Sequence, residues 1–166
     1  MLSVLRRLAA VFALVGSAVA LGTGVLVVVS ITLRAVTNRP IQGDVELTQF
    51  GIALAISLAL PWCQLHGSNI IVDFFTQKLP KRLVRALDGI GALLIAIMCA
   101  LLAWRTGVGA VAVRQSFEAS MILDLPMWWV YASLAPGLAL AALVALVQAV
   151  MHLRADPMGA LTGERA

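Results

Sequence analysis

Charged side chains interrupt this chain at only a few places, and the intervals between them set what it can fold into. Four stretches hold no Asp, Glu, Lys or Arg: Leu8–Leu33 with 26 residues, Leu47–Val72 with 26, Gly89–Trp104 with 16 and Leu125–Leu153 with 29. A hydrocarbon core about 30 Å thick takes around 20 apolar residues of helix. Backbone groups in lipid must bond within their own segment, so each stretch is expected to be an α-helix. Strand alternation is absent, which argues against an outer-membrane barrel. The reading is an all-α integral membrane protein with four transmembrane helices in a single domain, residues 1–166. Its spans fall at about 8–33, 46–66, 88–113 and 126–152, and residues 154–166 read as a flexible tail.

Composition excludes the other classes. Of 166 residues, 61% are apolar and 12% charged, against roughly 25% charged in a soluble domain. Disorder does not fit so apolar a chain. The two cysteines, Cys63 and Cys99, sit in apolar surroundings and do not make a disulfide scaffold. The net charge is +4, from 12 Lys/Arg and 8 Asp/Glu. The basic residues mark the ends of apolar runs rather than one face, which argues against a nucleic-acid partner.

Two spans carry an internal question. Arg6-Arg7 ahead of an apolar run, with Ala18-Val19-Ala20 behind, resembles a secretory signal. The apolar region runs on to Leu33, well past the 7–15 residues typical of a signal, so an uncleaved helix is expected. The 16 residues of the third stretch make only about 24 Å of helix. If that helix ends near Trp104, Arg105 is a snorkelling anchor. If it continues through Gly107–Val113 to Arg114, Arg105 needs an acidic or carbonyl partner, in this chain or another.

Lys and Arg set the orientation. With the N-terminus inside, the inner side holds Arg6, Arg7, Lys78, Lys81, Arg82, Arg85, Arg154 and Arg165, and the outer side Arg34, Arg39, Arg105 and Arg114. Eight against four predicts both termini in the cytoplasm. Trp62, Trp104, Trp128, Trp129 and Tyr131 lie near span ends, where amphipathic rings favour the headgroup layer. Between the second and third spans, Lys81, Arg82 and Arg85 alternate with Leu83, Val84 and Leu87. At helical spacing the bases share one side, so a basic interfacial helix on the anionic inner leaflet is expected. Trp62, Trp104, Trp128, Tyr131 and these three bases are the candidate contacts to membrane lipids.

Much of the chemistry an active protein would need is missing. No carboxylate lies deep inside a span, as a proton-coupled carrier requires. There is no P-loop, no HExxH, no Cys/His cluster and no spacing that suggests a Ser-His-Asp triad, so neither enzyme nor metal cofactor is expected. His66 and His152 both fall at inner helix ends. They leave open a haem-binding anchor of a redox complex, or simply an interfacial His at each helix end.

Three motifs in order carry a resemblance. They are Gly43-Asp44-Val45-Glu46-Leu47, then His66-Gly67-Ser68-Asn69-Ile70-Ile71-Val72-Asp73 with Leu79-Pro80, then Leu125-Pro126-Met127-Trp128-Trp129-Val130-Tyr131 with Pro136-Gly137. The set resembles the small membrane subunit of tripartite ATP-independent periplasmic (TRAP) transporters. Asn69 stands where that family usually has His. The resemblance implies a four-helix subunit of the bacterial inner membrane that is not an enzyme. It would brace a large permease subunit, which takes up an organic acid with sodium after a periplasmic substrate-binding protein delivers it.

Two sets of residues are candidates for meeting those partners. Gly16, Ala20 and Gly24 recur every four residues on the first helix, and small residues let membrane helices approach closely. With Arg105 and Trp129 they are the candidate interface to the large subunit, although the small stripe would serve equally to pack the chain's own helices. Arg39, Asp44, Glu46, Arg114 and Glu118 place mixed charge on the outer loops, where a binding protein would dock or where solvent alone would meet it.

Overall fold

The computed structural model describes residues 2–38, 41–66 and 81–154. Arg39, the Gly67–Pro80 part of the second motif and the tail from residue 155 lie outside the described residues. Within them the chain forms α1 (Leu2–Thr37), α2 (Asp44–Leu65), α3 (Lys81–Gln115) and α4 (Trp128–Arg154). Each is long and apolar enough to cross a membrane. Among the described residues there is no strand, only one isolated bridge between Ala119 and Pro126.

Two helices outgrow the spans read from charge. The 36 residues of α1 and 35 of α3 extend over about 50 Å each, against a core of about 30 Å. α1 ends where Asn38 turns left-handed, φ 52°, with its amide on the Arg34 carbonyl at 3.1 Å. Asn tolerates that conformation as a helix stop. α3 runs unbroken through Arg105. Lys81, Arg82 and Arg85 therefore open α3 itself, and their side chains lie outside the described set. Trp104, expected at a span end, stands eleven residues before α3 stops at Gln115.

The four helices form a row, not a closed bundle. α1 packs on α2, α2 on α4 and α4 on α3, while α1 barely reaches α4. The edge helices α1 and α3 therefore each have one packed face and one open face.

α1 and α2 run antiparallel in a seven-residue register. Ser30 meets Asp44, Thr23 lies against Gly51, and Gly16 lies against Ala55 and Leu58. Ala9 and Leu65 share a buried cluster with Val144 and Met151. The positions step by seven on both helices: 9, 16, 23 and 30 against 65, 58, 51 and 44. This is the seam of a left-handed coiled pair, with small residues on the α1 side.

α3 meets α4 through small side chains at alternating three- and four-residue steps. Gly89, Ala92, Ala96, Cys99 and Ala110 are buried, with Ala103 and Thr106 half-buried between them. Without a hydrophobic drive between helices in lipid, such close backbone approach supplies the packing energy. α2 and α4 run parallel. Ser57 on α2 donates its hydroxyl to the Leu134 carbonyl at 2.7 Å.

Candidate functional surfaces

The connections α1–α2 and α3–α4 meet at one end of the row, called here the hairpin end. Gly43 precedes α2 with φ 75°, a conformation that costs glycine nothing. A Cβ there would also strike Leu123. Asp44 and Glu46 sit in the first turn of α2, where exposed amides and the helix dipole favour carboxylates. Asp44 uses one oxygen on the Val45 amide at 2.8 Å and accepts the Ser30 hydroxyl on the other at 2.5 Å.

Glu46 reaches across to the α3–α4 connection. Its two oxygens accept the amides of Ile122 at 3.1 Å and Leu123 at 3.4 Å. That connection is a tight hairpin. Met127 donates to the Glu118 carbonyl at 3.1 Å and Ser120 to the Leu125 carbonyl at 2.9 Å, and the Leu125 amide bonds the Ser120 hydroxyl. Phe117 and Asp124 take left-handed conformations at its bends. Glu46 thus pins the tip of the hairpin to the start of α2. The tip leaves Phe117 and Met121 almost fully exposed.

The docking candidates separate on this geometry. Asp44 and Glu46 are spent on bonds within the chain. The Arg114 guanidinium lies 5.2 Å from the Trp128 ring centroid, a cation–π arrangement. Glu118 is exposed, and Arg39 lies outside the described residues. Trp128 and Tyr131 face α3 together, Trp128 under Arg114 and Tyr131 within 3.8 Å of a Cβ built on Gly109. Trp129 turns away and is 64% exposed. It borders an apolar recess with Phe50, Leu125, Pro126 and Val130.

The partner stripe on α1 also divides. Gly16 is buried against α2, and a Cβ there would lie 3.0 Å from the Ala55 carbonyl oxygen and 3.1 Å from Leu58 Cβ. Ala20 is exposed, and a Cβ on Gly24 would meet nothing within 4 Å. The three spread over about 80° of the helix surface, because each four-residue step drifts about 40°, and of the three only Gly16 falls on the packed side. Gly16 is corrected to an internal contact. Ala20 and Gly24 stay on the open face, among Leu21, Val25 and Val28.

At the opposite end a polar clasp joins α2 to α4. Gln64 donates to the Gln148 side-chain oxygen at 2.8 Å, and Gln148 donates back to the Gln64 carbonyl at 2.7 Å. Gln148 is buried, so this paired amide is satisfied inside the protein as lipid requires. Sequence reading passed over it, since two lone amides 84 residues apart carry no spacing signal. His66 lies against Trp62 with ring centroids 4.3 Å apart and the ring planes tilted by 44°, and its Nδ1 lies 3.1 Å from the Trp62 carbonyl oxygen. Trp62 packs against the buried cluster that closes this end.

A family model described as "Tripartite ATP-independent periplasmic transporters, DctQ component" matches residues 23–155. No curated protein and no solved structure matches the chain.

Proposed function

The chain belongs to the DctQ component family of tripartite ATP-independent periplasmic transporters, and from that premise we propose that it is a brace for the large permease subunit. Sodium-driven uptake of an organic acid then proceeds through that larger subunit, after delivery by a periplasmic substrate-binding protein. The observation that carries the reading is the row of helices. A carrier needs a polar site near the midplane, built from broken helices or buried charges. Here four continuous helices lie side by side, with α1 and α3 exposed along whole apolar faces. Among the described residues such a wall offers two broad faces against which a larger subunit can pack. Exposed apolar patches of this extent mark lipid or partner contact.

In this reading the chain is a multi-pass protein of the bacterial inner membrane with both termini cytoplasmic, as the Lys/Arg distribution favours. The hairpin end is periplasmic. Glu118, Arg114 and the exposed hairpin tip are there to meet the binding protein. The basic opening of α3 lies at the inner leaflet.

Reconstitution decides the matter. Proteoliposomes holding this chain with its large subunit and binding protein should take up substrate down a sodium gradient, and liposomes holding the chain alone should not. Uptake by the chain alone would overturn the brace.

A further inference from the structure

Arg105 is a charge on the open face of a membrane helix. It is exposed, and its neighbours one turn away on the same face, Leu101, Leu102 and Val108, are exposed and apolar. The packed seam of α3 lies on the other side, through Ala92, Ala96, Cys99 and Ala110. Depth follows from two contacts at the hairpin end. Arg114 covers Trp128 and Gly109 lies against Tyr131, so the aromatic layer sits beside residues 109–114. Arg105 lies four residues below the near edge of that layer and nine below its far edge, about 6 to 13 Å along the axis. That places its Cα on the hydrocarbon side of the aromatic layer.

Snorkelling is poorly placed to relieve it. Cα–Cβ bonds tilt toward the helix N-terminus, and α3 runs toward the hairpin end. The side chain therefore sets out toward the bilayer centre, away from the nearer interface. The described acids of the chain do not help. Asp44 and Glu46 are bonded to Ser30 and to the hairpin. Glu118 and Asp124 belong to the α3–α4 connection beyond the end of the helix. Asp88 is seventeen residues down α3, about 25 Å away.

We infer that the open face of α3 around Arg105 is a docking surface for a helix of the large permease subunit, and that this helix carries an intramembrane carboxylate pairing with Arg105. Charge complementarity selects the occupant. A guanidinium fixed among apolar side chains calls for a planar anion, and a carboxylate takes its two parallel N–H donors. Intramembrane charges face partners rather than lipid. The inference rests on the brace reading and adds the face and the chemistry of the contact.

The test is co-purification of the large subunit with a tagged small chain from co-expressing cells. Arg105→Leu should lower the large-to-small ratio at least roughly tenfold, because it leaves the partner's carboxylate buried and unpaired. Arg105→Lys, which keeps the charge but not the fork, should lose less. Helical content and elution volume of the isolated Arg105→Leu chain should match the unsubstituted chain. Should that variant not fold, a photo-crosslinking residue at Leu101 or Val108, with Arg105 intact, should attach to the large subunit. An unchanged ratio for Arg105→Leu overturns the inference, as do crosslinks to lipid alone. So does loss of a bound phospholipid with the complex retained, which would make the counter-charge a headgroup phosphate. Failure of the unsubstituted chain to bring down a large subunit is a different result and would sink the brace reading itself.

Discussion

Gly137 of α4 lies directly against Ser57 of α2, so close that a Cβ at 137 would strike both the carbonyl and the hydroxyl oxygen of the serine. The contact has a local cause. Pro61 sits inside α2 and lacks the amide that would bond the carbonyl four residues back, which is Ser57's. That carbonyl lies against Gly137 of α4, where the missing side chain leaves room for the approach. The Ser57 hydroxyl completes the joint on the Leu134 carbonyl. Pro61 and Gly137, 76 residues apart in the chain, act as one crossing.

Gly137→Ala should therefore loosen the α2–α4 contact by about 1–3 kcal/mol, the usual cost of forcing atoms into a packed site. Ser57→Ala should cost less, about 0.6 kcal/mol, as interhelical hydrogen bonds in membranes do. Reversible unfolding of the chain in mixed micelles measures both. Equal stability of Gly137→Ala and the unsubstituted chain would mean the helices cross elsewhere.

Gly16 and Gly24 should respond in opposite ways to the same change. Gly16→Leu forces a side chain into the backbone of α2 and should destabilise the isolated chain by about 1–3 kcal/mol. Gly24→Leu meets open space and should leave the isolated chain unchanged. If Gly24→Leu instead weakens recovery of the large subunit, the open face of α1 also carries a partner.

Glu46 should govern the order of the α3–α4 hairpin. Glu46→Ala removes both acceptors from the Ile122 and Leu123 amides. Their hydrogen exchange should speed up roughly tenfold, which corresponds to about 1.4 kcal/mol. Glu46→Gln keeps one side-chain oxygen and should fall between. Exchange that rises equally along α3 would point to general unfolding instead of a freed tip.

Topology can be read by labelling. With Cys63 and Cys99 replaced by alanine, single cysteines at Gln42 and Glu118 should react with a membrane-impermeant maleimide in intact cells, and one at Ala166 should not. Gln42 and Glu118 both lie at the hairpin end, so they must label together. Labelling of Ala166 alone would invert the orientation.

The number of spans was legible because charge is costly in hydrocarbon. Glu46, Asp88 and Asp124 each precede a charge-free run, and one helix long and apolar enough to cross a membrane passes through each of those runs. The far end of α3 was legible as one of two readings, the continuation through Gly107–Val113 to Arg114, while its start at Lys81 was not. Arg105 ended the charge-free run, yet backbone hydrogen bonding carries the helix past it to Gln115, and one charged side chain does not break a helix. The small residues of α1 were visible but were grouped at the wrong period. Ala9, Gly16, Thr23 and Ser30 recur every seven residues, and only the partner positions Leu65, Leu58, Gly51 and Asp44 reveal that this repeat is the seam. Which helices are neighbours was decided by tertiary structure alone. In lipid every apolar face is equally content with lipid, so hydrophobicity selects spans without ordering them. The order of the row comes from shape and a few polar bonds between distant residues, Ser57 with Leu134, Gln64 with Gln148, and Glu46 with the hairpin tip, none of which announces its partner along the chain.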